Sequence, residues 1–127
     1  EAGSHEYVYL FSVPHLTEDI YNSCRDYALE HGMAKVEPGP THMYSYITTM
    51  FLCDSCDKAA KKALRKCRIY KSFKMAFWGW MDFHSGLAVL EEGKAFSNAS
   101  GKSAAQLLNK TLFCKAKKQL LGKEKTL

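Results

Sequence analysis

The residues best equipped for chemistry are two cysteines three positions apart, in Cys53-Asp54-Ser55-Cys56. A thiol attacks as its thiolate, and the amides at a helix N-terminus lower a thiol pKa. A pair at this spacing, where a strand runs into a helix, can therefore supply a reactive sulfur and its resolving partner. The same sulfurs are poor candidates for metal. A structural zinc site needs four thiolate or imidazole ligands, and the chain has no second pair of this spacing. No metal and no cofactor is expected.

From Ile47 to Lys66 the chain resembles a thioredoxin-like active site, which implies dithiol–disulfide exchange at Cys53 and Cys56. That family also sets a proline against its cysteines from a later strand, and no proline follows Pro40 here. His15-Leu16-Thr17 has the H-x-T form of two-histidine phosphoesterases, in which paired imidazoles act as acid and base. Its best counterpart, His84-Ser85-Gly86, carries glycine in place of the hydroxyl. Thr17 also has a simpler role as a helix cap.

Charge supplies the stronger pattern. Residues 1–57 hold nine acidic and two basic residues, whereas residues 58–127 hold sixteen basic and four acidic ones. No acidic residue interrupts positions 58–74. Lys58, Lys61, Lys62, Arg65 and Arg68 can meet phosphates or carboxylates. Trp78 and Trp80, with Phe77, Tyr44 and Tyr46, can offer stacking surfaces. Nucleic acid or an acidic protein is the partner such a surface would suit. Partly exposed tryptophans would equally suit a homodimer contact.

The elements that must position these residues follow from periodicity. Glu6–Val13 is apolar on both faces and reads as an interior strand, ended by Pro14. Thr17 reads as an N-cap, followed by a helix with Ile20, Cys24, Tyr27, Ala28 and His31 inward and Gly32 at its C-terminus. His42–Cys53 is rich in β-branched and aromatic residues, as strands are. Asp54 or Ser55 then caps a second helix running to about Ile69, with Cys56, Ala60, Ala63, Leu64 and Cys67 on its apolar side.

Phe73–Leu90 alternates as a central strand, a tight turn at His84-Ser85-Gly86, and a second strand. Met75, Phe77, Met81 and Phe83 fall on the core face, and Trp78 and Trp80 on the other. A hairpin about Glu91-Glu92-Gly93 follows. Asn98 or Ser100 opens a last helix, with Ala104, Ala105, Leu108, Leu112, Phe113, Ala116 and Leu120 inward and Gly122 at its end.

The expected fold is α+β, with α/β as the variant: one mixed sheet of four to five strands packed by three helices, in the order β-α-β-α-β-β-(β)-α. At 127 residues and 46% hydrophobic content, one ordered domain over residues 1–127 is expected. Glu1–His5 reads as an appended remnant and residues 123–127 as a frayed tail. No apolar run approaches the ~20 residues of a membrane span, so no membrane partner is expected. Five cysteines are an odd count and poor material for a disulfide framework, which points to a cytoplasmic setting. Asn98-Ala99-Ser100 and Asn109-Lys110-Thr111 match the glycosylation acceptor pattern, which is common by chance. The expected function is a small binding module whose basic second half meets an anionic or protein partner. The alternative is a thiol-redox protein acting through Cys53 and Cys56.

Overall fold

The computed structural model describes residues 3–114. Strands β1 (Gly3–Leu16), β2 (His42–Cys56), β3 (Tyr70–Ser72), β4 (Trp80–Val89) and β5 (Lys94–Ser97) form one mixed sheet. Three helices, α1 (Glu18–Met33), α2 (Lys58–Lys66) and α3 (Lys102–Leu108), pack on it in the expected α+β order. β1, β2 and β4 run parallel, and β3 and β5 both pair antiparallel with β4.

The chain steps sideways in the same direction twice, from β1 to β2 and from β2 to β4. Right-handed crossovers then put both connecting helices on one face. Two apolar clusters lie beneath them: Leu16, Tyr21, Phe51, Leu64, Leu87 and Val89 in one, and Ala28, Ile47, Met81 and Phe83 in the other. Among the described residues α3 lies on the opposite face, against Gly86 and a cluster of Met50, Leu52, Ala88, Ala95, Ala105, Leu108 and Phe113. This helix of seven residues is followed by a π-turn (Asn109–Cys114).

Thr17 caps α1, its hydroxyl accepting the Ile20 N–H at 3.2 Å, with Glu18 and Asp19 in the first turn. The buried stripe is Tyr21, Ala28 and Gly32, whereas Ile20, Tyr27 and His31 face outward. Gly32 does not end the helix, which continues to Met33. A Cβ there would stand 2.8 Å from Ile47 Cδ1, so the glycine lets α1 lie close on β2. α2 starts later and stops earlier than its periodicity suggests. β2 runs on through Cys56, Asp57 is the N-cap, and the chain turns extended at Cys67.

β4 is continuous through His84-Ser85-Gly86, where the sequence suggests a turn. The triplet is polar yet buried. Ser85 Oγ lies 2.8 Å from Thr49 Oγ1 and 3.2 Å from the Tyr21 hydroxyl, so the polar groups are satisfied within the sheet. A Cβ on Gly86 would sit 3.0 Å from the Ala104 Cβ, so here too glycine permits close approach, of α3 to β4. The strand itself begins only at Trp80. Residues 73–79 form the loop of a β3–β4 hairpin, not a strand, and Met75 and Phe77 are exposed instead of core-facing. The β4–β5 hairpin matches expectation, with Gly93 at φ 64.

β1 is an edge strand, not an interior one. Tyr7, Tyr9, Phe11 and Val13 are partly buried on the helix-covered face, and Val8 and Leu10 stand exposed on the other. Because its outer edge carries no ladder, Pro14 is accommodated and pairing resumes at His15 and Leu16. The strand also takes in positions 3–5, which pair with the start of β2. A short 3₁₀ turn (Ala99–Gly101) precedes α3. Ala104 and Leu108 are inward as expected. Ala116, Leu120, Gly122 and the tail lie outside the described residues.

Candidate functional site

α2 is short, but its two sides differ sharply. Ala60 and Leu64 are fully buried, while Lys58, Lys62, Arg65 and Lys66 face solvent. Lys61 leans across to β5. Its ammonium lies 2.7 and 2.9 Å from the two Glu92 oxygens and 4.2 Å from the centre of the Phe96 ring. Arg65 and Lys94 also approach this ring, at 5.9 and 5.4 Å, so one aromatic side chain gathers three cations. Beside it, Arg65, Lys94 and Lys102 line a cleft of about 470 Å³ with Phe96, Ser97, Asn98 and Ala99. No carboxylate of the described residues is in the lining. The α2 side chains Lys58, Lys61, Lys62, Arg65 and Lys66 form a second, shallower groove of about 370 Å³.

Lys58, Lys61, Lys62 and Arg65 are thus brought together. Arg68 lies past the end of α2, between it and β3. The tryptophans are not part of this surface. Trp78 sits in the 73–79 loop with the Lys74 ammonium 4.2 Å from its ring centre. Trp80 is on β4, on the face of the sheet opposite α2. There it stacks on Tyr44 at 5.2 Å and meets Tyr46 and Tyr70 at 5.8 and 6.0 Å. His84 is 4.6 Å from Tyr46, and its Nε2 is 3.3 Å from Asp82 Oδ2.

This aromatic surface is acidic. Burial raises the Tyr46 pKa first, and the nearby Tyr44 hydroxyl and the Asp82 and Glu6 carboxylates raise it further. Glu6 accepts the Thr48 hydroxyl at 2.7 Å and opens on a cleft of about 380 Å³ with Val8, Met50, His84 and Leu107. Carboxylates repel phosphate, so the stacking rings and the cations serve different surfaces. Sequence alternation places Tyr44, Tyr46 and Trp80 correctly on strands, though not Phe77 and Trp78, and it cannot say which face the basic helix takes. Lys94, Lys102 and Phe96 are the cleft residues that sequence reasoning missed. They lie on elements read only for structure.

The surroundings of Cys53 and Cys56 do not favour a thiolate. Cys53 lies inside β2, not at a helix N-terminus, is 2% exposed, and points its thiol at the Ala88 carbonyl, 3.6 Å away. Burial, with smaller contributions from Cys56 and nearby carboxylates, pushes its pKa up to about 11. Cys56, Cys24 and Cys67 are likewise shifted upward, by burial first. A redox thiol needs the opposite shift. No group of three or more metal-ligating side chains occurs among the described residues.

One further array joins the ends of β1 and β2. The His15 ring lies 2.6 Å from Ser55 Oγ through Nδ1 and 2.8 Å from Asp57 Oδ1 through Nε2. The residue types are those of a nucleophilic triad. The imidazole and carboxylate are half exposed, and the array lines none of the clefts above. Thr17, the hydroxyl of the H-x-T pattern, is engaged as the α1 cap.

Fold and surfaces together define a small α+β domain with one mixed sheet, a basic helix α2 and an aromatic patch on the opposite face. The chain belongs to the family described as domain of unknown function DUF8052, which matches residues 1–110. No curated protein and no solved structure matches it. No helix among the described residues is long and apolar enough to cross a membrane.

Proposed function

We propose that the chain is a non-catalytic binding module that holds an anionic partner at the cleft between α2 and β5. The observation that carries this reading is the convergence of Arg65, Lys94 and Lys102 on one concavity, with no carboxylate among the described residues of its lining. Lys61 is neutralised by Glu92 and contributes position more than charge. The exposed lysines of α2 extend the positive field beyond the cleft and steer an anion toward it.

The test is binding of two probes, a single-stranded oligonucleotide and polyglutamate, at about 50 and 200 mM salt. At least one probe should bind at the lower salt and weaken steeply at the higher. Exchanging Arg65→Gln and Lys102→Gln together should weaken binding about tenfold or more. The oligonucleotide binding alone would assign a nucleic-acid backbone, and polyglutamate alone an acidic protein. Absence of binding to both, or a double variant that binds as the parent does, would refute the reading.

A further inference from the structure

The loop between β3 and β4 is built to hold apolar side chains in water. Lys74, Met75 and Ala76 are three consecutive non-glycine residues in the left-handed region, with φ of 48, 55 and 72. L-residues disfavour this conformation, and it persists only where the surroundings enforce it. Here the enforcement is visible. The Phe77 N–H donates to the Lys74 carbonyl at 3.0 Å, Trp78 N–H to Phe73 at 3.0 Å, and Gly79 N–H to Ala76 at 3.1 Å. The Phe73 N–H closes the loop on the Gly79 carbonyl at 2.9 Å.

The strained turn buries nothing at its tip. Met75 is 88% and Phe77 81% exposed, the two highest values among the exposed large hydrophobic residues. Tyr70, on the adjoining edge strand, is 58% exposed. Lys71 and Lys74 lie close to the tip along the chain, with no acidic residue between positions 58 and 81, and the nearest carboxylate along the hairpin is Asp82, across from Tyr70.

We propose that this loop docks on an anionic lipid bilayer, with Met75 and Phe77 inserted among the acyl chains. Apolar residues on a loop tip with lysines behind them match the layering of such a surface, hydrocarbon below and anionic headgroups above. Tyr70 suits the boundary between the two layers. Charge complementarity favours an anionic bilayer over a second copy of this chain meeting through the same loop, since both copies would bring the same cations. The turn is fixed before contact, so insertion orders little that was free. This mode is peripheral and needs no membrane-spanning segment.

Flotation of the full chain with vesicles tests the proposal, using phosphatidylcholine alone and phosphatidylcholine with about one quarter phosphatidylglycerol, at about 0.1 M salt. The chain should float with the anionic vesicles and much less with the neutral ones. Met75→Asn with Phe77→Ser should weaken binding about tenfold or more, because asparagine keeps the left-handed backbone while the apolar reach is lost. Lys71→Gln with Lys74→Gln should abolish the preference for anionic lipid. The Arg65→Gln, Lys102→Gln variant of the α2–β5 cleft should float as the parent does, which separates this surface from the proposed function. A parent chain that floats with neither vesicle, or a Met75/Phe77 variant that floats unchanged, overturns the proposal. So does a concentration-dependent dimer that Phe77→Ser dissolves, which would assign the tip to a second copy.

Discussion

The Asn98 carboxamide takes the place of a missing strand beside Ser85. Its Oδ1 accepts the Ser85 N–H at 3.0 Å, and its Nδ2 donates to the carbonyls of Phe83 and Cys67 at 3.0 and 3.1 Å. β3 pairs with β4 only at Trp80–Asp82, and β5 only at Gly86–Val89, so the middle of β4 has no continuous neighbour on that side. Asn98 closes this gap from a position 1% exposed. The side chain is therefore inaccessible as a glycosylation acceptor in the folded chain, although Asn98-Ala99-Ser100 matches the acceptor pattern.

Removing this amide should be among the costliest substitutions in the protein. Asn98→Ala leaves the Ser85 N–H and the Cys67 carbonyl without their partner, while the Phe83 carbonyl keeps the Ser100 hydroxyl at 3.1 Å, at about 1–3 kcal/mol for each buried group left unmet. A loss of about 3 kcal/mol is expected from urea unfolding. Gly101→Ala should act on the same group, because its Cβ would stand 2.5 Å from Asn98 Oδ1. An unchanged midpoint in either variant would mean that the amide is not holding the strand.

A second expectation concerns pH. The folded chain keeps the Cys53 proton up to about pH 11, whereas an unfolded thiol loses it near its ordinary value. Between those two values the unfolded state binds fewer protons, so stability falls as pH rises, by up to roughly 3 kcal/mol. Below the ordinary thiol pKa the contribution is complete and flat. Unfolding measured from pH 8 to 11 in the parent and in Cys53→Val should show this slope in the parent and a shallower one in the variant. Native Cys53 should also resist alkylation near neutral pH, and rapid labelling there would restore the redox reading.

Gly86→Ala tests the contact between α3 and the sheet. The added methyl meets the Ala104 Cβ at 3.0 Å and Leu108 Cδ1 at 3.3 Å, so the helix must lift. Overpacking of this kind costs about 1–3 kcal/mol. Hydrogen exchange should show α3 amides losing protection while those of α1 are unaffected.

The β3–β4 loop should respond in the other direction. Ala76 has φ 72 and is exposed, so a glycine there relieves left-handed strain without removing packing. Ala76→Gly should raise stability by about 1 kcal/mol, read as a higher melting temperature. A lower one would show that the loop conformation is not strained.

Much of the fold is legible in the residues. Thr17 with its acidic first turn, the alternating apolar residues of β2, and the glycine of the 91–93 hairpin each have a local physical cause that sequence displays directly. The departures come from causes that act across the fold. His84-Ser85-Gly86 looks like a turn because it is polar and contains glycine, yet its partners Thr49, Tyr21 and Ala104 come from other elements. Phe73–Trp78 alternates like a strand, but alternation is blind to the sign of φ. The basic residues of α2 were identifiable as one face. Their separation from Trp80 was not, because it depends on which side of the sheet the crossover takes.

The pairing of α1 with α2 has a consequence at long range. The two helices lie against each other on one face, α1 with Glu18, Asp19, Asp26 and Glu30 against a single arginine, and α2 with five cations and no carboxylate. The domain is therefore a permanent electric dipole rather than a uniformly positive particle. Near any negatively charged body it experiences a torque before contact, turning α2 inward and α1 outward. Salt shortens the distance over which that torque acts, so orientation and capture should fade together as ionic strength rises.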